Sequence, residues 1–361
     1  MKKVLIIAGA LYIGGAEKVC RDIGLYANGR CTVHYLVFGE RVGEYEAELT
    51  AAGCKVIHTA SPTAGRISYY RFLKRLIREE KYDVIHSHTM FNSGWAMLAG
   101  KRCGVPVRIA HSHSALIVPM PTHKRCYEAI MRRMILRNAT VYAACGQKAG
   151  ERLFGKEAFE KDGRLLLNGI QTKAFAYDEE ARAKIRGELG IEDRFVIGHA
   201  GHLAEVKNQG FLIRLMPKIL KRRPDAFLLL LGDGPDKEML HGLIAELGLE
   251  KQILMTGNVR NVEDYLSAMD VFAFPSLYEG LPLSIVEVQA NGLPCVISDR
   301  VPKDVFVTDL LKPLPLEKED EWIDALCTAN RTNSGDYGEI VRNCGMDAGD
   351  FVEKVYSLYG V

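Results

Sequence analysis

Residues 274–287 read FPSLYEGLPLSIVE and join a short apolar run to a turn and then to a helical pattern. Of its two glutamates, we expect Glu279 to lie on the turn and Glu287 in the first turn of the helix. Backbone N–H groups at a helix N-terminus favour a bound phosphate, and carboxylates accept hydrogen bonds from hydroxyl groups. The stretch therefore predicts a site for a ligand that carries both phosphate and hydroxyl groups.

The same residues also have a purely structural interpretation. Ser284 and Glu287 have the S-x-x-E spacing of a capping box, in which a glutamate side chain folds back onto the N-cap residue of its own helix. The sequence leaves both interpretations open, and they differ in whether Ser284 is the N-cap residue.

Short runs rich in Val, Ile and Leu alternate with helical patterns along most of the chain. Such runs are typical of parallel strands covered by helices on both faces. We therefore predict an α/β fold with two Rossmann-like domains, whose ligands bind beyond the carboxyl ends of the strands. The predicted strands are residues 4–8, 33–38, 55–59, 84–88, 107–110, 141–144, 165–167, 195–199, 226–231, 253–256, 271–274 and 294–298.

A chain of 361 residues is too long for one ordinary core. We predict an N-terminal domain over residues 1–168, a second domain over residues 169–345 and a C-terminal helix within residues 346–361. The connection between the domains carries a predicted helix over residues 178–189. Residues 312–316 read KPLPL, and their prolines predict an extended loop.

Charge is divided unevenly, with a net charge of +12 in residues 1–168 and −10 in the remainder. A basic half indicates contact with an anionic surface or acceptor. The nine cysteines form no C-x-x-C pair, which is typical of reduced thiols in the cytoplasm. We find no run of about 18 apolar residues and expect no membrane-spanning segment.

The spacing Glu279-x7-Glu287 inside P-S-x-x-E-G-L-P resembles the retaining glycosyltransferases of family 4, in particular those of bacterial exopolysaccharide, capsule and lipopolysaccharide synthesis. Further segments that fit this family are GGAE at 14–17, NGI at 168–170, GH at 201–202, KN at 207–208, GDGP at 232–235 and GLP at 292–294.

The resemblance implies the GT-B fold, with two Rossmann-like domains whose parallel sheets face each other across a cleft. It also implies that the C-terminal helix, within residues 346–361, crosses back onto the N-terminal domain. The C-terminal domain would bind a nucleotide-sugar donor, most simply a UDP-sugar, and the N-terminal domain a saccharide or lipid-linked saccharide acceptor. Transfer to an acceptor hydroxyl would retain the anomeric configuration, without a metal ion or a cofactor. The resemblance implies no nucleic-acid partner.

The resemblance also implies roles for individual residues. Glu279 and Lys207 would act on the donor sugar and its diphosphate, and a histidine of the segment that contains His111 and His113 would lie near the reaction centre. Spacing does not decide between these histidines, although His113 is favoured. The implied donor-binding residues are Gly14, Gly15, His202, Lys207, Asn258, Val259, Arg260, Glu279, Gly280, Leu281, Ser284 and Glu287.

Two positions depart from a simple match. His202 stands where the family has an arginine, so a titratable group replaces a permanent cation. The paired H-x-H segments at 86–88 and 111–113 could instead bind a metal ion. No cysteine or acidic residue accompanies them, and the chain has no D-x-D motif, so we expect no metal site.

Two basic helical patterns, residues 66–81 and 124–137, could lie on anionic lipid or could be ordinary solvated helices. We accordingly expect a cytoplasmic protein that can also sit peripherally on the inner face of the membrane.

Two other enzyme classes remain open at this point. A nucleotide-sugar epimerase of GT-B fold would use the same donor without an acceptor. An NAD(P)-dependent dehydrogenase would share the Rossmann-like domains, but the chain lacks the G-x-G-x-x-G fingerprint of that class.

Overall fold

The computed structural model describes residues 1–115, 120–332 and 335–361. It divides the chain into two compact units. The first unit comprises Met1–Gly169 and Ala348–Val361, and the second unit comprises Ile170–Asp347.

The described residues of the first unit form one sheet of parallel strands in the order β3-β2-β1-β4-β5-β6-β7. The strand order reverses next to β1, which lies between β2 and β4. The strands are β1 (Lys2–Gly9), β2 (Cys31–Phe38), β3 (Lys55–Thr59), β4 (Val84–Ser87), β5 (Val107–Ser112), β6 (Val141–Ala144) and β7 (Gly163–Leu165).

Helices connect these strands, and their apolar sides pack on the sheet. Val19, Cys20 and Ile23 of the first helix, for example, lie in the same core as Val4 and Ile6 of β1. The helices are α1 (Gly15–Leu25), α2 (Glu46–Ala51), α3 (Arg66–Glu80), α4 (Ser93–Arg102), α5 (Thr122–Asn138), α6 (Gln147–Phe154) and α7 (Lys156–Asp162).

The second unit repeats this plan with a parallel sheet in the order β10-β9-β8-β11-β12-β13. Its strands are β8 (Phe195–Ala200), β9 (Ala226–Leu231), β10 (Ile253–Gly257), β11 (Val271–Phe274), β12 (Cys295–Ser298) and β13 (Leu311–Leu314). Its helices are α8 (Glu179–Leu189), α9 (Gln209–Arg222), α10 (Lys237–Glu246), α11 (Val262–Ala268), α12 (Leu283–Ala290), α13 (Glu319–Thr328) and α14 (Tyr337–Asn343).

The strand order reverses between β8 and β11, and in such sheets ligands bind at this reversal, beyond the carboxyl ends of the strands. The loops that follow β8 and β11 are therefore the expected ligand site of the second unit.

The last helix, α15 (Ala348–Tyr359), belongs to the first unit although it follows the second in sequence. Phe351, Val355 and Tyr359 lie in the core of the first unit. The Tyr356 hydroxyl donates a hydrogen bond to the carbonyl of Ile23. Nothing in the helical periodicity of this segment could have assigned it to that core.

The predicted α/β class and its parallel strands are confirmed, and the predicted helix at 178–189 is present with Asp178 as its N-cap. The Asp178 carboxylate accepts hydrogen bonds from the backbone N–H groups of Glu180 and Ala181, at 2.8 and 3.1 Å. These two bonds satisfy donors that the first helical turn would otherwise leave unpaired.

The loop predicted at residues 312–316 is wrong in part, because Leu311–Leu314 forms strand β13. Pro313 lacks a backbone N–H group, which argues against a central strand. It is accommodated because β13 lies at the edge of the sheet and pairs only with β12. The predicted strand at 165–167 likewise lies at Gly163–Leu165.

Candidate functional site

The loops after β8 and β11 are joined by three hydrogen bonds. The Lys207 ammonium donates to Glu279 Oε1 at 2.7 Å. The backbone N–H of Leu277 donates to the carbonyl of Val206 at 2.8 Å, and Asn208 Nδ2 donates to the carbonyl of Pro275 at 3.3 Å. The structure thus brings together the predicted Lys207 and Glu279, which lie on loops far apart in the sequence.

The Lys207–Glu279 ion pair is largely shielded from water. The Lys207 side chain is 18% exposed and the Glu279 side chain 11% exposed. The Lys207 Nζ atom also lies 4.9 Å from the centroid of the Phe274 ring, a position that favours a cation. An ammonium group has three N–H donors, so Lys207 can bind an anion while it keeps its bond to Glu279.

Helix α12 begins directly after the turn that carries Gly280 and Leu281. Its N-cap is Pro282, and Ser284 is already inside the helix, so the capping-box interpretation is wrong. Glu287 is the fifth residue of α12 and therefore lies in its second turn, not in the first as predicted. It is largely buried.

A buried histidine and glutamine support the loop that carries His202. Burial lowers the pKa of His199 to about 4, so its ring is neutral. Its Nδ1–H donates to the carbonyl of Ala273 at 2.9 Å. Gln209 Nε2 lies 3.3 Å from His199 Nε2 and donates to the carbonyl of His202 at 3.0 Å. The His202 backbone is thereby tied to β11.

Sequence reasoning did not identify His199 and Gln209. One signal was present in the sequence, namely a histidine in the otherwise apolar strand at residues 195–200. A buried imidazole needs hydrogen-bond partners, so this residue indicated a polar neighbour such as Gln209. The His202 side chain itself is exposed, so it can contact a ligand without any rearrangement of the core.

Close backbone packing joins the loops after β8, β9 and β10. Gly232 has φ +133°, and a Cβ atom there would lie 2.0 Å from the carbonyl oxygen of Gly201. A Cβ atom on Gly234 would lie 2.2 Å from the carbonyl oxygen of Leu203. The backbone N–H of Gly232 donates to the carbonyl of Gly257 at 2.9 Å. The GDG segment at residues 232–234 therefore has a structural role in packing these loops together.

The predicted residues Asn258, Val259 and Arg260 follow β10 and lie in the loop before α11. Asn258 and Arg260 are exposed and Val259 is half-buried. Gly14 and Gly15 are in the first unit, where Gly14 is the N-cap of α1 and follows β1. Because the first-turn N–H groups of a helix lack intrahelical partners, this turn has donors to offer a ligand. The roles of these five residues remain predictions.

The two H-x-H segments meet in the first unit. His86 lies on β4 and His111 on β5, while His88 and His113 directly follow those strands. The ring centroids of neighbouring histidines are 4.1–5.2 Å apart. One ring nitrogen from each of His86, His88 and His111 lies within 4.8 Å of the other two.

Both halves of the chain match the sequence profiles of known protein families. The profile of the glycosyl transferases group 1 matches residues 181–310. The profile of the glycosyl transferase 4-like domain matches residues 14–161.

EpsF of Bacillus subtilis strain 168, provisionally named a glycosyltransferase, is 32% identical over 373 aligned residues, with 100% of this chain and 97% of EpsF covered. The chain belongs to the group 1 glycosyltransferases, and the family resemblance is confirmed at that level.

Two further proteins are similar to the chain. The UDP-Gal:alpha-D-GlcNAc-diphosphoundecaprenol alpha-1,3-galactosyltransferase of Escherichia coli is 26% identical, with 85% of this chain and 81% of the relative covered. The crystal structure of Anabaena HepE in complex with UDP-glucose aligns with a TM-score of 0.82 at 20% identity, covering 100% of both chains. This likeness confirms the GT-B fold.

The close approach at Gly232 generates a prediction about the second unit. Gly232→Ala should destabilise the chain by about 2 kcal/mol or more, because the new methyl group would collide with the Gly201 backbone at a strained φ. Gly242→Ala is the matched control, since Gly242 lies inside α10 with nothing within 4 Å of an added Cβ. Alanine there should stabilise the helix slightly. Thermal melting of both variants checks this, and equal melting temperatures would contradict it.

Proposed function

We propose that the protein is a retaining, metal-independent hexosyltransferase. It transfers a sugar from a UDP-sugar to a hydroxyl group of a saccharide or lipid-linked saccharide during the synthesis of a bacterial surface polysaccharide. The observation that carries the proposal is the shielded Lys207–Glu279 pair, which lies where the strand order of the second unit reverses and just before the N-terminus of α12.

In this proposal the donor binds at the carboxyl edge of the second sheet. Lys207 and the backbone N–H groups of Gly280 and Leu281 face the diphosphate, where a helix N-terminus adds a favourable dipole. Glu279 accepts hydrogen bonds from the sugar hydroxyls and Glu287 from the ribose hydroxyls. The loop at residues 258–260 holds the base, and the first unit binds the acceptor.

The reaction itself needs stabilisation of the departing diphosphate. The bond between the anomeric carbon and the diphosphate oxygen breaks as the acceptor oxygen approaches on the same face, and the leaving diphosphate takes the acceptor proton. Fixed positive groups at the developing charge lower the barrier without reorganising. Lys207 supplies such a charge from the protein itself, and for this reason we propose that no metal ion is needed at the diphosphate.

The names of the similar proteins support a UDP-sugar and a lipid-linked acceptor. One relative is named for UDP-galactose and a diphosphoundecaprenol-linked sugar, and HepE was crystallised with UDP-glucose. Neither the epimerase nor the dehydrogenase alternative has support among the matched families.

Incubation of the full chain with UDP-sugars, with and without lipid-linked saccharide acceptors, tests the proposed function. We expect UDP release that requires an acceptor, and a product whose anomeric proton shows by NMR the configuration of the donor. UDP affinity should be the same in EDTA as in Mg²⁺. Donor turnover without an acceptor would favour an epimerase, and an inverted product would contradict retention.

The placement of Glu287 generates a prediction about donor affinity. Glu287→Gln should weaken UDP binding about 10-fold, because hydrogen bonds to a carboxylate are stronger than those to an amide. The melting temperature should change little, since the side chain keeps its shape. Glu246→Gln, at an exposed position in α10, is the control and should bind UDP normally. Isothermal titration with UDP measures both; normal affinity for Glu287→Gln would remove Glu287 from the ribose site.

The histidine at position 202 predicts the effect of a permanent cation on donor affinity. Arginine is always charged and can bind a phosphate through two N–H groups, so His202→Arg should bind UDP more tightly than the wild type where the side chain meets the diphosphate. His241→Arg, at an exposed histidine of α10, is the control and should leave UDP affinity unchanged. Isothermal titration measures both, and weaker UDP binding by a folded His202→Arg, or the same affinity as the wild type, would show that His202 does not contact the diphosphate.

A surface of the first unit fits the proposed contact with anionic lipid. Ile67 on α3 is 68% exposed and Ile130 on α5 is 58% exposed. The Arg66 guanidinium lies 4.6 Å from the centroid of the Tyr127 ring and links the two helices. Exposed arginines follow each isoleucine at helical spacing. We define the α3–α5 surface as Ile67, Arg71, Arg78, Ile130, Arg133 and Arg137.

In the described part of the chain, no helix is both long and apolar enough to cross a bilayer. On the basis of the exposed isoleucines and arginines, we propose peripheral attachment through the α3–α5 surface, with the arginines at the lipid headgroups and the isoleucines below them. This attachment would place the protein on the cytoplasmic face of the membrane, beside a lipid-linked acceptor.

Liposome flotation tests this attachment. The wild type should float with vesicles of phosphatidylglycerol and phosphatidylcholine at low salt and be released as salt screens the arginines. Replacing Ile67 and Ile130 together by serine should reduce the bound fraction about 10-fold or more. Ile340→Ser, in the second unit, is the control because Ile340 is also exposed, at 42%. Absence of wild-type flotation at low salt would contradict the attachment.

A further inference from the structure

The register of β4 and β5 assembles a histidine cluster, defined as His86, His88, His111 and His113. Ser87 pairs with Ala110, so His88 stands level with His111. Residues two apart in a strand point to the same face, which places both pairs of rings on one side of the sheet. Phe351 of α15 lies 6.4 Å from the His111 ring. The cluster therefore lies between the sheet and α15.

Hydrogen bonds to Tyr359 and between the rings orient the histidines. His86 Nδ1 is 2.7 Å from the hydroxyl oxygen of Tyr359, and His88 Nδ1 is 2.7 Å from His113 Nε2. Inside the cluster, His86 Nε2 lies 3.1 Å from His111 Nδ1. His88 Nε2, His111 Nε2 and His113 Nδ1 are buried and have no hydrogen-bond partner in the described structure. Three buried ring nitrogens are thus left unsatisfied, which is unfavourable without a ligand.

The hydrogen bonds fix which ring nitrogens can face a ligand. A neutral imidazole has one N–H group and one lone pair. If His86 and His88 donate their Nδ1–H groups to Tyr359 and His113, their Nε2 lone pairs both point inward.

This is the arrangement of metal-binding histidines, which commonly donate the second ring N–H to a protein acceptor. We propose that His86, His88 and His111 bind one divalent transition-metal ion, namely Zn²⁺. Tyr359 and His113 hold the ligating rings of His86 and His88 in place.

The geometry is close to what Zn²⁺ requires. Ligand nitrogens at about 2.0–2.1 Å in a tetrahedral site stand about 3.3 Å apart. One ring nitrogen from each of His86, His88 and His111 lies within 4.8 Å of the other two, so the three rings must move closer together on binding. Three neutral nitrogen donors suit Zn²⁺ and its borderline neighbours better than Mg²⁺ or Ca²⁺.

All residues of the cluster belong to the first unit, whereas Lys207 and Glu279 belong to the second. The metal site would connect β4 and β5 to α15 through His86 and Tyr359, so metal binding should stabilise the first unit. It would also remove His111 as a candidate for the reaction centre and leave His113.

Metal loading of the full chain tests the proposal. After removal of bound metal with a chelator and dialysis against Zn²⁺, the wild type should retain one ion per chain by elemental analysis, and Zn²⁺ should raise its melting temperature. His88→Gln and His111→Gln should lose the ion. His123→Gln, an exposed histidine at the start of α5, should retain it. Tyr359→Phe should weaken the affinity about 10- to 100-fold.

The proposal is overturned if the wild type retains no Zn²⁺, or if His88→Gln and His111→Gln retain it as tightly as the wild type does. Should these variants not fold, X-ray absorption of the Zn²⁺-loaded wild type decides. A first coordination sphere of histidine nitrogens supports the proposal, and sulfur ligands from the cysteines contradict it.

Discussion

The ion pair between Lys207 and Glu279 is the interaction on which the candidate site depends. It joins the loops after β8 and β11, which are neighbours only because the strand order reverses there. Breaking a shielded pair by removing one partner leaves an unpaired charge and is costly. The pair therefore holds both loops while it keeps a cation near a helix N-terminus. His199 and Gln209 extend the same support to the backbone of His202.

Much of the fold could be predicted because its signals are local. Alternating apolar runs placed most strands, and Asp178 marked the start of α8. Strand β13 was missed because Pro313 argues against a strand, and only its edge position makes it acceptable. The motif around Glu279 and Glu287 indicated the site because its two carboxylates flank a strand-to-helix turn. Both glutamates lie in one continuous segment, so their recognition requires no knowledge of contacts with distant residues.

The rest could not be predicted because it rests on contacts between distant residues. Tyr359 reaches His86 only because α15 joins the core of the first unit. Gly232 is constrained by the backbone of Gly201, which no local pattern reports. The histidine cluster likewise depends on the register of β4 and β5. The sequence shows only two separate H-x-H segments without acidic or cysteine partners, and for this reason we expected no metal site from it.

The central claim is that Lys207, held by Glu279, binds the diphosphate of the donor. The most direct test compares the UDP affinity of two variants, each of which loses the lysine of one ion pair in the second unit. Lys218 and Glu319 also form a pair at 2.7 Å in the second unit, but both side chains are about half exposed. Isothermal titration should show UDP binding about 10-fold or more weaker for Lys207→Met and unchanged for Lys218→Met. A folded Lys207→Met chain that binds UDP as tightly as the wild type would contradict the account.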